Sequence, residues 1–497
     1  MTIDYDVVII GGSLAGRYAA LAATKWHAKV ALVEPRINYG FIYHHTLSEI
    51  AHRLQSLNQA DSCGIHTNHA DIAEKCHISV AWQEAMLYAD GVAANVQELN
   101  SPATLAAMGV DVIFGKGEFQ PSPHLAFAVD ENEATSANTS YHPVRRLLRG
   151  RTYLLASGSC PAVPNIEGLP ATGYMTLNNI WRSLQKTTLP QNWVILGGVP
   201  QSLEIAQTLA RLGCTVTLVI KHPHILPNID PEIAQILQAQ LEVDGVRILT
   251  QTAVTQVKQI DDKKWIQAGD KAIETDEILV ATAQKPNFES LNLAAVGVKW
   301  YQHRLVVNNK LQTTNKRIYA CGDVIGGYDF INIANYEARI ALNNSLFFSR
   351  LEVNYQHIPW GIFTHPMLAQ VGLTETQTKR QFRDDKFLVL RQYFKSLTAA
   401  QINSETTGIC KLIVLRNGEI LGATILGQSA GELINVIALA INQKIKIQDL
   451  ANLAPVHPNF TEILTQTAQE YQQILNNHPD VQDRLEGFFH FRRNWNL

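Results

Sequence analysis

The sequence is poor in cysteine, in long apolar runs and in net charge. Its six cysteines among 497 residues show no CxxC or CxxxxC spacing, which is typical of reduced cytosolic thiols rather than of disulfides or a zinc site. No apolar run reaches the roughly 18 residues of a membrane-spanning helix. A net charge of −3 without a basic stripe argues against a nucleic-acid partner. We therefore expect a cytoplasmic protein of two or three domains, without a signal peptide or a transmembrane segment.

A strand–turn–helix–strand pattern fills residues 4–35. The apolar run Val7–Ile10 predicts a buried strand, a glycine-rich turn and a helix follow, and the run Val30–Val33 predicts a second strand. An acid roughly twenty residues after such glycines is typical of a dinucleotide site. The helix start offers free N–H groups to a pyrophosphate, and the acid can accept hydrogen bonds from a ribose. The candidate nucleotide-binding residues are Gly11, Gly12, Ser13, Gly16 and Glu34.

A second unit of the same kind follows later in the chain. Its turn contains Gly197 and Gly198, but Val199 stands where a glycine would let the backbone approach a pyrophosphate. Its second strand ends in the basic residues Lys221 and His222, which would suit the 2′-phosphate of NADPH. A βαβ unit retained only for packing is the other interpretation, and both stay open.

Other segments carry further candidate residues. One predicted strand ends in Gly158, and another runs into Asp323, at the kind of strand end where doubly wound sheets bind ligands. From about residue 355 the pattern predicts an α+β domain. There His457 and Glu462 lie in a proline-bounded turn. They form either an acid–base pair, in which the carboxylate orients the imidazole, or a surface histidine at a helix start.

Two segments near the first unit are less regular. Apolar residues at helical spacing predict a helix from about Thr46. Residues 61–97 are mixed in character, and their spacing of cysteine and histidine fits no zinc pattern that we know. A metal site and a solvated insert both stay open, and we assign no metal ligand. The residues concerned are Cys63, His66, His69, Cys76 and His77.

Seven motifs in chain order resemble those of the flavoprotein pyridine nucleotide–disulfide oxidoreductases, which include glutathione reductase, dihydrolipoamide dehydrogenase and mercuric reductase. The resemblance covers about residues 4–470 and implies an α/β fold with two doubly wound Rossmann-like dinucleotide-binding domains plus a C-terminal α+β dimerisation domain. The motifs are GGSLAG (11–16), ASGS (156–159), GGVPQSLEIA (197–206), ATAQKPN (281–287), IYACGDV (318–324), IPWGIFTHPMLAQVGLTE (358–375), which opens the dimerisation domain, and HPNFTE (457–462).

The resemblance also implies cofactors and a partner. FAD would be held by the first turn with Glu34, Gly158 and Asp323, and the nicotinamide nucleotide by Gly197, Gly198, Glu204, Lys221 and His222. The segment IKHPHIL (220–226) resembles the family's NADPH-choosing segment, so NADPH is the expected nucleotide, with NADH as the alternative. His457 and Glu462 would reach into the partner's active site in a homodimer.

The predicted domain boundaries follow from the same motifs. They are 1–158 for the first part of the FAD-binding domain, 159–284 for the NAD(P)-binding domain, 285–354 for the second part of the FAD-binding domain, 355–476 for the dimerisation domain and 477–497 for a C-terminal tail.

The chain departs from the family where the redox-active pair CxxxxC and a nearby lysine are expected. Ile42 and Leu47 fall near the cysteine positions and Ile50 near the lysine, so Glu204, which resembles the lysine's partner, is predicted to have lost it. His44 and His45 occupy the neighbourhood of the flavin ring. There they either donate protons or hydrogen bonds, or serve packing and the helix start.

The sequence therefore predicts an FAD-dependent NAD(P)H oxidoreductase that passes electrons directly to a non-disulfide acceptor, either a quinone or another small electron carrier. His44, His45, His457 and Glu462 are the candidate catalytic residues. A pseudoenzyme with a binding or structural role is the alternative, because Val199 and Gln284 also depart from the nicotinamide motifs. A pyridine nucleotide transhydrogenase is the third. The aromatic and basic tail could dock on its own dimer, on a partner or on a membrane surface.

Overall fold

The computed structural model describes residues 2–34, 36–58, 60, 78–121, 124–131, 144–327, 329–477 and 479–495. The histidine- and cysteine-containing stretch 61–77 lies outside the described residues, so the metal alternative is not tested there. The chain divides into two compact units. The first comprises Met1–Lys221 and Val246–Val353, and the second His222–Gly245 and Asn354–Leu497.

The first unit contains two parallel sheets and several small antiparallel ones. Its strands are β1 (Tyr5–Ile10), β2 (Val30–Val33), β3 (Asp111–Ile113), β4 (Gly115–Gln120), β5 (Ala126–Glu131), β6 (Val144–Leu148), β7 (Gly150–Leu155), β8 (Ser159–Pro161), β9 (Met175–Thr176), β10 (Asn192–Leu196), β11 (Thr215–Val219), β12 (Val246–Leu249), β13 (Val254–Ile260), β14 (Lys263–Ala268), β15 (Lys271–Thr275), β16 (Glu277–Val280), β17 (Gln284–Pro286), β18 (Trp300–Tyr301), β19 (Arg304–Leu305) and β20 (Ile318–Ala320).

Helices cover the parallel sheets of this unit. With numbering in chain order, they are α1 (Leu14–Lys25), α2 (Gly40–Asn58), α3 (Trp82–Leu99), α4 (Pro102–Ala107), α5 (Leu169–Thr172), α6 (Ile180–Leu184), α7 (Pro200–Arg211) and α9 (Ile331–Leu346).

The first parallel sheet has the strand order β20-β7-β1-β2-β3. Its central strand β1 is buried on both faces, which is typical of a parallel sheet. Val7 and Ile9 belong to one apolar cluster with alanines of α1 and α9, and Val8 and Ile10 belong to another with Phe119. This double cover fixes the carboxyl end of β1, and with it the following glycine turn.

The second parallel sheet has the order β12-β11-β10-β16-β9, and α7 follows its central strand β10. The strand–turn–helix–strand unit therefore occurs twice, as the sequence predicts. Both glycine turns follow the central strand of a five-stranded parallel sheet.

The second unit is built on an antiparallel sheet of order β21-β22-β25-β24-β23 and is an α+β structure. Helices α12 and α14 contribute apolar side chains to its core. Its elements are α8 (Pro231–Val243), β21 (Trp360–Ile362), β22 (Met367–Gly372), α10 (Glu375–Gln381), β23 (Phe387–Tyr393), α11 (Thr398–Ile402), β24 (Ile409–Leu415), β25 (Ile420–Gly427), α12 (Ala430–Asn442), α13 (Ile447–Ala451), α14 (Glu462–Asn476) and α15 (Pro479–Asn494).

A buried lysine joins α8 to this antiparallel sheet. Lys411 on β24 is 2% exposed and lies 3.0 Å from Asp230 and 2.7 Å from Glu375, and it also contacts Glu232. Burial alone would lower the pKa of Lys411, but the carboxylates outweigh burial and raise it. A buried charge of this kind is tolerated only when it is paired.

Two element boundaries differ from the sequence predictions. Helix α2 begins at Gly40 rather than near Thr46, because the Asn38 carboxamide accepts a hydrogen bond from the Gly40 N–H at 2.9 Å and starts the helix early. The segment GVDVIFGKGEF (109–119) predicts a single strand, but the structure divides it into β3 and β4, which belong to different sheets. The second of these strands, β4, begins at Gly115, where a Cβ atom would lie 2.3 Å from the Asp130 carbonyl oxygen.

Candidate active site

The first glycine turn depends on two positions where only hydrogen fits. Gly11 has φ +107°, and a Cβ atom there would lie 2.4 Å from the Ala156 carbonyl oxygen. A Cβ on Gly16 would lie 2.1 Å from the Gly11 carbonyl oxygen. Both distances are far below contact, so these glycines let β1, α1 and the end of β7 approach closely.

The start of α1 is prepared for an anionic ligand. The Ser13 hydroxyl caps the helix by accepting from the Gly16 N–H at 3.3 Å. The Gly12 N–H donates to the Glu34 carbonyl at 2.8 Å, which holds Glu34 beside the turn. Small side chains, a helix N-terminus and an acid at the end of the next strand fit the pyrophosphate and ribose of a dinucleotide.

A buried arginine follows this turn, and the sequence predictions did not include it. Arg17 is 4% exposed, and its Nε donates to the Gly12 carbonyl at 3.2 Å. A charged residue directly after the last glycine of the turn was the available signal. Its guanidinium therefore ties the start of α1 to the backbone of the glycine turn.

A second cluster lies at the end of β20. Asp323 accepts a hydrogen bond from the Ser159 hydroxyl at 3.1 Å, and Gly158, next to that serine, accepts from the Asn287 N–H at 2.9 Å. Asp329 is hydrogen-bonded to Asp323, and desolvation of its carboxyl group and the Asp323 charge raise its pKa to about 7, although the residue as a whole is exposed. Asp329 was not predicted, although two acids flanking a Gly-Gly turn are visible in the sequence.

The second glycine turn repeats the geometry of the first at Gly197. This residue has φ +117°, and a Cβ atom would lie 2.1 Å from the Ala281 carbonyl oxygen. Gly198 packs beside Ile220. Val199 occupies the N-cap of α7 without a side-chain cap, and the buried Ser202 hydroxyl donates to the Val199 carbonyl at 2.6 Å.

Glu204, predicted to lack the family's lysine partner, is paired with a histidine instead. His44 Nε2 lies 3.0 Å from a Glu204 carboxylate oxygen, and the two side chains are 7% and 6% exposed. The His44 ring stacks on Trp181, with ring centroids 5.8 Å apart. Because α2 begins at Gly40, His44 faces α7 from within a regular helix, which sequence spacing alone did not indicate.

The other nitrogen of His44 is a buried orphan. Its Nδ1 has no hydrogen-bond partner among the described residues. A buried imidazole nitrogen without a partner is costly, and it marks a place where a bound group can supply one. His44 thus offers one ring nitrogen to Glu204 and keeps the other available.

The neighbours of His44 on α2 differ from it. Burial, and then the charge of His44, lower the pKa of His45 to about 4, so His45 is neutral at pH 7. The Tyr43 hydroxyl donates to Asp90 at 2.6 Å and accepts from Gln185 at 3.0 Å. Tyr43 is thereby tied to α3 and to the chain after α6.

The remaining predicted residues lie at exposed positions. Lys221 and His222 follow β11 and are both exposed. In the second unit, Nδ1 of His457 lies 3.1 Å from the Glu462 carboxylate, and the His457 side chain is 65% exposed. The Asn459 N–H, and then His457, lower the pKa of Glu462. The two members of this pair are thus together, and their catalytic role stays a prediction.

The described cysteines are four free thiols, three of them buried. Burial raises the pKa of Cys214 and Cys410 to about 12 and that of Cys321 well above its usual range. Cys160 is partly exposed. Cys63 and Cys76 lie outside the described residues.

Two parallel sheets with a glycine turn after each central strand, an acid directly after β2 and a separate antiparallel unit are the features of an oxidoreductase with two dinucleotide-binding domains. The profile described as "Pyridine nucleotide-disulphide oxidoreductase" matches residues 5–338, and that of the family's dimerisation domain matches residues 358–468. The chain belongs to the pyridine nucleotide–disulphide oxidoreductase family. FAD and NAD(P)H are the cofactors of this family, which confirms the cofactor prediction at that level.

Relatives and solved structures agree with this assignment. A mercuric reductase of Staphylococcus aureus is 31% identical over 90% of this chain and 79% of its own length. A dihydrolipoyl dehydrogenase of Synechocystis is 30% identical over 93% of this chain and 97% of its own length. The copper(II) complex of the HOCl-induced flavoprotein disulfide reductase RclA from Escherichia coli has the same fold, with a TM-score of 0.80, 24% identity and coverage of 95% of this chain and 100% of that one.

Among the helices of the described ranges, none has the length and apolar character needed to cross a membrane. The dimerisation domain indicates a homodimer.

Proposed function

We propose that the protein is an FAD-dependent NAD(P)H oxidoreductase that passes electrons directly to a non-disulfide acceptor, a quinone or another small electron carrier. FAD, when bound, supplies the group that accepts hydride and can release electrons without a thiol. The observation that carries the proposal is the buried pair between His44, on the helix α2 where the family's dithiol would lie, and Glu204 on α7.

The cysteines support the proposal. A dithiol relay needs two sulfurs at bonding distance and a reactive thiolate. The positions expected for the two cysteines on α2 hold Ile42 and the fully buried Leu47. The buried thiols of Cys214, Cys321 and Cys410 have raised pKa values, so their thiolates are disfavoured.

Residues of the first unit would hold the cofactors. The turn of Gly11 and Gly16 with Glu34 would bind the adenosine and pyrophosphate of FAD, and Asp323 would accept from its ribityl chain. The orphan Nδ1 of His44 would take a hydrogen bond within the flavin site. Because His45 is neutral, it can accept or donate there without adding a positive charge.

The His457–Glu462 pair would serve the acceptor. The carboxylate orients the imidazole through Nδ1, and the exposed Nε2 can move a proton to the acceptor or its product. In a homodimer this pair would face the partner's flavin. The exposed Lys221 and His222 would favour NADPH over NADH through the 2′-phosphate.

The test is turnover of the purified holoprotein with NADPH and two kinds of acceptor. We expect anaerobic NADPH to bleach the flavin absorbance, and we expect turnover with a water-soluble benzoquinone but not with lipoamide or glutathione disulfide. The Cys160→Ser and Cys63→Ser/Cys76→Ser variants should retain the quinone activity, since no thiol takes part. Disulfide turnover that is lost in a Cys→Ser variant would contradict the proposal.

A His457→Gln variant separates the two halves of the reaction. Flavin bleaching by NADPH should be unchanged, and quinone turnover should fall by about a hundredfold, the range of a lost general acid. A colourless protein, or one bleached by neither NADPH nor NADH, would favour the pseudoenzyme alternative. Efficient hydride transfer from NADPH to an NAD⁺ analogue, without quinone turnover, would favour a transhydrogenase.

A further inference from the structure

The helix α15 presents an apolar face to solvent. Every described side chain from 482 to 495 is exposed. Five of these are large and apolar, with exposed fractions from 42% to 63%: Leu485, Phe488, Phe489, Phe491 and Trp495. Exposed aromatic clusters of this kind mark interaction surfaces, because water disfavours them.

Helical geometry places these five side chains on one side of α15. At about 3.6 residues per turn they fall within half of the helix circumference. Arg484 and Arg492 fall among them, while Asp483 and Glu486 fall on the opposite side. Trp495 directly follows the last residue of α15, and its ring centroid lies 4.8 Å from that of Phe491. The Trp495 ring therefore extends the apolar face of α15.

The charge on this face indicates the kind of partner. Arginines between aromatic rings fit a surface that is apolar at depth and anionic at its boundary, and the acidic residues would then remain in water. A second copy of α15 would fit poorly. A symmetric contact would bring the same face of each copy, with its two arginines, against itself.

We propose that α15 docks on an anionic lipid surface and lies in the plane of the interface. The aromatic side chains insert between the headgroups, and Arg484 and Arg492 contact the lipid phosphates. This inference does not rest on the proposed electron acceptor, since it concerns a helix outside the nucleotide sites.

The test is sedimentation of the full-length holoprotein with phosphatidylcholine vesicles that contain or lack phosphatidylglycerol. We expect binding to the anionic vesicles and much weaker binding to the neutral ones. The Phe488→Ser/Phe489→Ser variant should bind anionic vesicles about tenfold more weakly, since two inserted rings are lost. The Arg484→Gln/Arg492→Gln variant should lose the preference for anionic vesicles.

A matched control lies on α3, where Leu87 and Tyr88 form another exposed apolar pair on a helix. The Leu87→Ser/Tyr88→Ser variant should bind vesicles as the wild type does. Flavin content should be equal in all variants, so that a folding defect is recognised. A wild-type protein that stays in the supernatant with anionic vesicles, or Phe488→Ser/Phe489→Ser binding like the wild type, overturns the proposal.

The second copy of the chain remains as a distinguishable outcome. If Phe488→Ser/Phe489→Ser lowers the oligomer mass in sedimentation velocity while the wild type ignores vesicles, the face belongs to a protein interface and the lipid proposal is wrong.

Discussion

The two glycine turns of the first unit share a backbone and differ in the side chains around it. Gly11 and Gly197 have φ values of +107° and +117°, and each lies against the carbonyl of an alanine at the end of a neighbouring strand. The next positions diverge. Ser13 caps α1, whereas Val199 gives α7 no side-chain cap.

The helices after the turns diverge further. Tyr18 on α1 is exposed, and Glu204, at the equivalent position of α7, is buried against His44. The two turns therefore share the glycines that the close approach of strand and helix requires. They differ in the side chains that would contact a ligand or form an active site. The first turn has the small, capping Ser13 that is typical of a nucleotide site. The second turn has Val199 in its place, and the helix after it contacts α2 through Glu204.

The largest effect should come from the shared glycines. Gly11→Ala would place a Cβ atom 2.4 Å from the Ala156 carbonyl oxygen. We expect a loss of stability of more than about 4 kcal/mol and of bound FAD, since the backbone cannot move without opening β1 and β7. Flavin content per chain and thermal unfolding measure this. Gly197→Ala has the same clash in the second sheet, and we expect it to keep FAD and lose flavin bleaching by NADPH.

A glycine without neighbours supplies the control for both variants. Gly91 lies on α3, and nothing lies within 4 Å of its Cβ position. Gly91→Ala should leave flavin content and bleaching unchanged. If Gly11→Ala retained normal flavin, or Gly197→Ala normal bleaching, the two turns would not have the separate roles that the comparison assigns.

The second largest effect should come from the pair that distinguishes α7. His44→Ala or Glu204→Ala breaks a buried pair by removing one of its members, and we expect each to lower the free energy of unfolding by about 3 kcal/mol. Tyr18→Ala, at the equivalent position of α1, should change it by less than about 0.5 kcal/mol. Denaturant unfolding of holoprotein provides the measurement.

The double variant His44→Leu/Glu204→Met tests the interpretation. It should cost less than either single substitution, because neither member of the pair is then buried without the other. Additive losses would mean that the two side chains act separately. We also expect both single variants to alter the rate of flavin bleaching by NADPH, which a purely structural pair would leave unchanged.

The sequence predicted the shared features and the departure at Val199, and it missed the His44–Glu204 pair for a physical reason. Both turns, Glu34 and Asp323 follow from local periodicity and glycine spacing. In the structure each turn follows the central strand of a parallel sheet, Glu34 follows β2 and Asp323 lies after β20, and their cofactor contacts stay predictions. The His44–Glu204 pair joins residues 160 positions apart. Its formation depends on where α2 begins, and the Asn38 carboxamide that decides this gave no periodic signal. Asp329 was missed because its pairing with Asp323 depends on the path of a short turn.

The pair of Asp323 and Asp329 predicts a pH dependence of stability. The folded protein keeps a proton on Asp329 up to about pH 7, whereas the unfolded chain releases it near the ordinary value of 3.8. The stabilisation is therefore complete below about pH 4 and is lost as the pH rises through 7. We expect the unfolding temperature of the wild type to fall by a few degrees between pH 5 and pH 8.

Asp329→Asn supplies the comparison, because its carboxamide can donate to Asp323 at any pH. Its unfolding temperature should stay nearly level over this range and exceed that of the wild type at pH 8. If the unfolding temperatures of the two proteins changed with pH in parallel, the pKa of Asp329 in the folded protein would not be raised to about 7. The clash of Gly197→Ala lies in the second sheet and does not involve Asp323 or Asp329. This variant should therefore keep the wild-type dependence of the unfolding temperature on pH.

A smaller effect is expected from making the second turn more like a standard nucleotide turn. Val199→Gly removes the side chain at the position where a pyrophosphate would approach. We expect the Kd for NADPH to fall about fivefold at a cost of a few tenths of a kcal/mol, since glycine is accepted at an N-cap. Titration of the flavin absorbance measures the Kd. An unchanged or raised Kd would mean that Val199 is a contact rather than an obstacle.

The smallest effect should come from Lys221, because an exposed charge in water contributes little. Lys221→Ala should raise the Kd for NADPH about threefold and leave the Kd for NADH nearly unchanged, since only NADPH carries the 2′-phosphate. Raising the salt concentration should shrink the difference between the two nucleotides in the wild type and have less effect in the variant. Lys25, at the end of α1, provides a matched lysine, and Lys25→Ala should change neither value. Equal losses for NADPH and NADH in Lys221→Ala would place the 2′-phosphate elsewhere, and the second turn would then select its nucleotide by a contact that the first turn does not have.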